Sequence, residues 1–226
     1  MAFWMTSEQI DLFTPEVDAL LAVHGRHISH AAKTVFLSPG MTIEGIYYLH
    51  SGRTRHSVVN EDGNTKLLYT LRPGYYFGEA SYYLHAETSL ISETETDVVF
   101  YHLAPDVLKR LLAESEAFRH SLLMNYSTKL MVARYEISNL SFSSTKERLM
   151  RFFCSVADTK HPIDPSWYPL IGQYNQTEIG EIIGVTRVTV NRNLTELCAE
   201  GELRIIKTRT QVHRTAYERY RTQPLY

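Results

Sequence analysis

The spacing of apolar positions changes twice along the 226-residue chain, and each change marks a different kind of element. From about Pro15 to Leu103 the apolar residues come in short, often alternating runs rich in Tyr, Thr and Val and closed by turn formers. "IYYLHSG", "TRHSVVNEDG", "NTKLLYTLRPG" and "YYFGE" each read as a strand running into a turn. Asp62-Gly63, between Val58-Val59 and Leu67-Leu68, predicts a hairpin. Pro73-Gly74 predicts a further turn, and "TETDVVFYHL" reads as one more strand. Strands at this regular spacing predict an antiparallel sandwich or barrel.

After Leu103 the period becomes helical. A turn at Pro105-Asp106 opens a first segment, "DVLKRLLAES", and a main segment follows from about Glu116 to Leu140 without Gly or Pro. Leu123, Leu130 and Ile137 lie seven apart, and Tyr126, Ala133 and Leu140 follow them by three. That is an a/d seam over about two and a half heptads. It fits either a coiled coil with a second copy or a helix packed on its own barrel. Tyr126 puts a phenol where Leu would pack better, which points to a neighbour that takes a hydrogen bond.

The third texture begins at Ser141-Phe142-Ser143-Ser144, a small polar stretch suited to a hinge. An amphipathic helix, "TKERLMRFFCSVAD", and a Pro-broken loop, "HPIDPSWYP", come next. Then "NQTEIGEIIGVTRVTVNRNLTELCAEGEL" carries two helix starts. Asn175 with Glu178 has capping-box spacing. Gly184 ends that helix, since a tight turn there needs the left-handed backbone that glycine tolerates. Thr186 caps the next helix, with Val190, Leu194 and Leu197 on its buried face and Arg187, Val188, Asn191 and Arg192 outside. Helix, glycine turn and second helix make the helix-turn-helix plan, whose second helix reads base edges in the major groove. Past Gly201, "LRIIKTRTQVHR" predicts a hairpin, a basic wing able to lie along phosphates.

Charge follows the same division. The net charge of −2 separates into −5 over residues 1–138 and +3 over residues 139–226, a mild signal for a polyanion partner in the second half. The first residues, "MAFWMTSEQIDLF", do not read as a signal peptide, and no apolar run reaches the ~18 residues of a membrane span. Cys154 and Cys198 offer no disulfide framework and read as small buried hydrophobes. A cytoplasmic protein without membrane partners is the expectation.

"NQTEIGEIIGVTRVTVNRNLTEL" resembles the helix-turn-helix of the CRP/FNR superfamily of bacterial transcription regulators. Pro39-Gly40, Gly52, Gly63, Gly74 and "FGE" at 77–79 resemble the glycine frame of that superfamily's cyclic-nucleotide-binding-like β-roll. The resemblance runs from about residue 15 to residue 215 and implies an α+β fold. Its parts are an effector-sensing roll (1–104), a dimerisation helix (105–140) and a winged helix-turn-helix domain (141–226). It also implies a homodimer on a palindromic double-stranded DNA site, a small effector between roll and long helix, and contact with RNA polymerase. Neither a catalytic residue nor a metal site is expected.

Which effector is meant depends on departures from the family pattern. The cyclic-AMP receptor proteins hold the phosphate with an Arg shortly after the Gly-Glu, whereas "GEASYYLHAETSLISETETD" has no Arg or Lys. A four-cysteine iron–sulfur site is impossible with two Cys. His24, His27, His30, His50, His56, His85 and His102 stand in no recognisable haem arrangement and read as surface or hydrogen-bonded side chains. "NEDGNTKLLYTL", "NYSTKL" and "VTVNRNL" are similar to regulators of reductive dehalogenation, which sense halogenated phenolic compounds. That similarity implies Tyr126 and Lys129 facing the ligand. Tyr69, Tyr76, Tyr82 and Tyr83 would then form aromatic walls beside Gly78 and Glu79. The branch's activator has Lys where this chain has Glu79, and a Glu there favours a neutral hydroxyl donor or a cation over a phenolate. No cofactor is expected beyond this effector.

On the DNA side, Arg187 is expected on a guanine or phosphate, Val188 on a thymine methyl, Thr189 on phosphate, Asn191 on adenine and Arg192 on guanine or phosphate. Val188 in place of the receptor's Glu predicts an A/T-richer half-site, and a dimer spaces two half-sites roughly 10–10.5 bp apart. A cupin-like metalloenzyme is the rival class. It needs a His-x-His pair followed by Glu, and the chain has none.

Overall fold

The computed structural model describes residues 10–222, which form two compact units. The first comprises residues 10–63 and 67–132. It opens with helix α1 (Pro15–His24) and continues through strands β1 (Arg26–His30), β2 (Val35–Leu37), β3 (Ile46–Ser51), β4 (Thr54–Val59), β5 (Thr65–Leu71) and β6 (Tyr76–Phe77). The short helix α2 (Glu79–Leu84), strands β7 (Ile91–Thr94) and β8 (Val98–Leu103), helix α3 (Pro105–Glu114) and the long helix α4 (Glu116–Phe142) follow. Two four-stranded sheets, ordered β1-β8-β3-β6 and β2-β7-β4-β5, make the roll.

Alternation along the strands divides the core into two. Leu37, Leu49, Leu71, Phe77, Val98 and Phe100 meet between the sheets. Ile46, Tyr48, Tyr101 and Leu103 lie on the opposite face of β3 and β8, under Val17 and Leu21 of α1, Leu108 and Leu111 of α3, and Phe118 and Leu122 of α4. Both faces of β3 are therefore covered, which explains its nearly unbroken apolar run.

Three local expectations change. Residues 15–24 and 79–84 are helical, not part of the strand pattern. Pro15 sits in the first turn of α1, where its missing N–H costs nothing, and Glu16 and Asp18 favour that end of the helix. "TETDVVFYHL" is not one strand: Thr94 ends β7, and β8 begins at Val98. Between them Glu95 N donates to Arg53 O, and the Asp97 carboxylate accepts from Ala32 N, so the segment turns onto its neighbours. The hinge expected at 141–144 is shorter than its sequence suggests, because Ser141 and Phe142 still belong to α4.

Helix α4 has two faces. Phe118, Leu122, Asn125, Thr128 and Val132 are buried at spacings of three and four. The seam residues Leu123, Leu130, Ala133, Ile137 and Leu140 are exposed, and Tyr126 is half-buried at the seam's edge. Packing on the roll and a free apolar seam are thus both present on one helix.

The second unit holds the last part of α4 and α5 (Thr145–Ser155), β9 (Trp167–Pro169), α6 (Gln176–Ile183), α7 (Arg187–Ala199), β10 (Leu203–Ile206), β11 (Arg209–His213) and α8 (Arg214–Thr222). Its core joins Leu149, Phe153, Ile179, Ile183, Val190, Leu194, Leu197, Leu203 and Val212. The hairpin β10–β11 extends a three-stranded sheet with β9. Its tip, Lys207-Thr208, has positive φ at both residues (48° and 68°), a conformation normally given to Asn-Gly.

Ser144 caps α5 with a full capping box, its hydroxyl accepting from Glu147 N while the Glu147 carboxylate accepts from Ser144 N. Ser144→Ala should lower the stability of this unit by about 1 kcal/mol in a urea titration, whereas Ser143→Ala, which removes no cap, should leave the midpoint in place.

Candidate functional site

The first candidate site lies where β5, β6 and α2 meet α4. Lys129 projects from α4 into the roll, where its ammonium donates to the Tyr76 carbonyl and to Glu79 Oε1, each at 2.6 Å. The same nitrogen stands 5.3 Å from the centre of the Tyr69 ring, within cation–π range. Glu79 is buried at the start of α2. It reaches that position because Gly78 turns the chain with φ 84°, and a Cβ there would press on Ile43 at 3.0 Å. Asn125, one turn before Lys129, accepts from Tyr76 N at 3.2 Å, and Ser121 hydrogen-bonds the Tyr76 hydroxyl at 2.7 Å.

Tyr69, Glu79, Tyr126 and Lys129 thus form one neighbourhood. The Tyr126 phenol is held above its ordinary range by burial first and then by the negative charge of Glu79 and by Tyr83. The Tyr69 phenol is raised in the same way by burial and Glu79. Both stay protonated at neutral pH and can donate as well as accept. Tyr82 and Tyr83 pack edge to face at 5.1 Å, with Tyr83 partly exposed. Tyr76 belongs to the core: it is fully buried, and its hydroxyl is engaged by Ser121. Gly78 contributes its backbone turn.

Nothing in the pattern of the chain marks His56 as part of this neighbourhood. Its ring is buried on β4, bonded to Thr54 Oγ1 at 3.0 Å and Ser92 Oγ at 2.7 Å, and packs 5.1 Å from the Tyr69 ring. Asn125 and Ser121 are equally hidden. The period of α4 assigns them to a face but cannot say that a strand backbone crosses it. Among the described residues no group of His, Cys, Asp and Glu could hold a metal ion.

The second candidate site is the outer face of α7. Gly184 ends α6 with φ 74°, and Thr186 caps α7 through Thr189 N. Arg187, Val188, Asn191 and Arg192 are exposed, Val188 at 78%. An exposed valine among arginines on a capped helix has the character of a groove-reading face. Thr189 is half-buried, and its hydroxyl lies 3.0 Å from that of Thr186, so the cap already engages the group expected on phosphate. Asn191 is held by Gln176, whose Nε2 donates to Asn191 Oδ1 at 3.1 Å. These residues lie fifteen apart in sequence, and no periodicity announces the pair.

Burial and then the Lys129 charge push the His56 imidazole from 6.5 down to about 3. In the unfolded chain His56 takes a proton below pH 6.5, and in the folded chain only near pH 3. Its contribution to stability is therefore complete above pH 6.5 and is lost as pH falls. Between pH 7 and pH 5 the wild type should lose about 2 kcal/mol of unfolding free energy that a His56→Gln variant retains. Urea titrations of both proteins at the two pH values measure the difference.

Known proteins match both halves of the chain. The profile described as the cyclic nucleotide-binding domain matches residues 27–115, and the Crp-like helix-turn-helix domain matches residues 147–216. The cyclic AMP receptor protein of Thermus thermophilus is 25% identical over 190 residues, 84% of each chain. Among solved structures, the c-di-GMP responsive global regulator CLP of Xanthomonas campestris is similar with a TM-score of 0.73 at 19% identity, over 87% of this chain and 97% of that one. CprK complexed with OCPA is similar with a TM-score of 0.70 at 21% identity, over 89% of this chain and 92% of that one. With a cyclic nucleotide-binding domain followed by a Crp-like helix-turn-helix domain, the chain belongs to the CRP/FNR family of DNA-binding transcription regulators.

Proposed function

We propose that this regulator works as a cytoplasmic homodimer whose grip on a palindromic, A/T-rich promoter site is set by a small aromatic or phenolic ligand. The ligand binds between the roll and the N-terminal part of α4. The observation that carries this reading is the convergence of Tyr69, Glu79, Tyr126 and Lys129 at that junction. Two neutral phenols and one self-neutralised ion pair suit a flat, uncharged ring bearing a hydroxyl. An anion would have to compete with Glu79 for Lys129, and parting a buried ion pair costs about 3–5 kcal/mol.

The solved neighbours are named for different effectors, one as c-di-GMP responsive and another as complexed with OCPA, so the effector is inferred from local residues. A cyclic nucleotide is the second reading, favoured by the cyclic AMP receptor relative. Against it stands the absence of Arg and Lys from residues 78–97, which leaves a phosphate without a second cation. The seam residues Leu123, Leu130, Ala133, Ile137 and Leu140 would meet their copies across a dimer axis, with residues 105–140 as the dimerising segment between roll and DNA-binding domain. Arg187, Val188, Asn191 and Arg192 would then enter the major groove of each half-site, with RNA polymerase the recipient of the signal.

Two measurements test this. Thermal shifts with chlorophenols, plain phenolic acids, cyclic AMP and cyclic GMP should respond to the phenols. A ligand at 100 times its Kd adds about 2.7 kcal/mol. The response should weaken in Tyr126→Phe; a shift with cyclic nucleotides alone points to the second reading. Leu130→Glu should convert a sedimenting dimer to monomer and reduce affinity for a two-half-site DNA, while a variant that stays dimeric removes the seam from the interface.

A further inference from the structure

We infer that Gln176 is a positioning residue for base recognition: it turns the Asn191 amide so that its NH2 group, not its carbonyl, faces the DNA. The inference rests on reading α7 as the helix that enters the groove.

Gln176 is the first residue of α6, and its backbone is fixed from both sides. Asn175 Oδ1 accepts from Thr177 N and Glu178 N, both at 2.9 Å, and the Glu178 carboxylate accepts from Asn175 N at 2.8 Å. The capping box thus immobilises the residue that carries the half-buried glutamine side chain. From there Nε2 donates to Asn191 Oδ1 at 3.1 Å. Asn191 stands on the exposed face of α7, one turn beyond Arg187 and beside Arg192, and its backbone carbonyl accepts from Thr195 Oγ1 at 3.0 Å.

A side-chain amide has one acceptor oxygen and one donor NH2. Reading adenine requires both at once, the oxygen accepting from N6 and the NH2 donating to N7. With its oxygen drawn toward α6, Asn191 offers the base edge a donor. The matching edges are guanine, with two acceptors in O6 and N7, and thymine O4; adenine offers only N7, beside an N6 amine that cannot accept. On this inference the two-bond adenine pairing expected for Asn191 gives way to a donor-only contact.

Selection of random DNA with the full chain and its variants, followed by base frequencies at each half-site position, decides the matter. Asn191→Ala should flatten one base pair that the wild type fills with guanine or thymine, by about tenfold. Gln176→Glu carries only acceptors, so the Asn191 amide should reverse to donate to it. The preference at that same pair should then move to adenine or cytosine, whose edges carry amines. Gln176→Ala releases the amide and should raise adenine there. Combined with Asn191→Ala, either Gln176 change should have no further effect at that pair. A purely structural role for Gln176 would weaken binding without moving the preference. If Asn191→Ala flattens a pair that neither Gln176 variant moves, the coupling is wrong while α7 remains the reader. If Asn191→Ala changes no position, the base-reading role of Asn191 is lost and the inference falls with it. Should Gln176→Glu lose DNA binding altogether through its added charge, the Gln176→Ala profile decides alone.

Discussion

A lysine ammonium enclosed by protein has to be neutralised, and in the first unit much follows from that requirement. Lys129 comes in from α4 and finds two oxygens, a strand carbonyl and the Glu79 carboxylate, with the Tyr69 ring face nearby. Burying either charge alone would cost several kcal/mol. The Gly78 turn is therefore needed to bring Glu79 within reach, and α2 begins where it does for the same reason. Asn125 and Ser121 hold the β6 backbone and the Tyr76 hydroxyl that flank this pair. The roll and the first half of α4 are joined by polar contacts of definite direction as well as by the apolar packing of Phe118 and Leu122.

The same charge explains the neighbouring histidine. An imidazolium at position 56 would be desolvated and would face Lys129, so the ring stays neutral and bonds two hydroxyls. Neutral His56, neutral Tyr69 and a closed ion pair leave the junction with polar groups but no free charge. An anion entering this junction would find the Lys129 ammonium already paired with Glu79.

Much of this architecture was legible in the chain, for identifiable reasons. Period-two runs closed by Asp62-Gly63 and Pro73-Gly74 announced the strands. Caps at Asn175 and Thr186, with a glycine turn between helices, announced the helix-turn-helix in detail. What stayed hidden is non-local. Residues 79–84 follow the strand-like "YYF" and show no helical period over so short a length. The β7–β8 break lacks glycine and proline. His56, Asn125 and Gln176 acquire their roles from partners 15 to 49 residues away. The heptad on α4 fitted two uses; one face of the helix packs on the roll, and the seam residues lie exposed on the adjacent face.

The proposed dimer seam and the proposed ligand site would meet at one residue of α4. Tyr126 lies at the edge between the faces, half-buried, with Glu79 on the roll side and the exposed seam on the other. Helical side chains three and four apart share a surface, so Leu123, Leu130 and Tyr126 border one another along α4. A ligand hydroxyl bonded to Tyr126 would engage a residue that borders the seam, and the seam continues along α4 through Ala133, Ile137 and Leu140. On that proposal the ligand contact at Tyr126 and the seam contacts at Leu123 and Leu130 would lie within about one turn of each other on α4. The bound state need only favour one arrangement of the seam over another by the ligand's difference in affinity for the two.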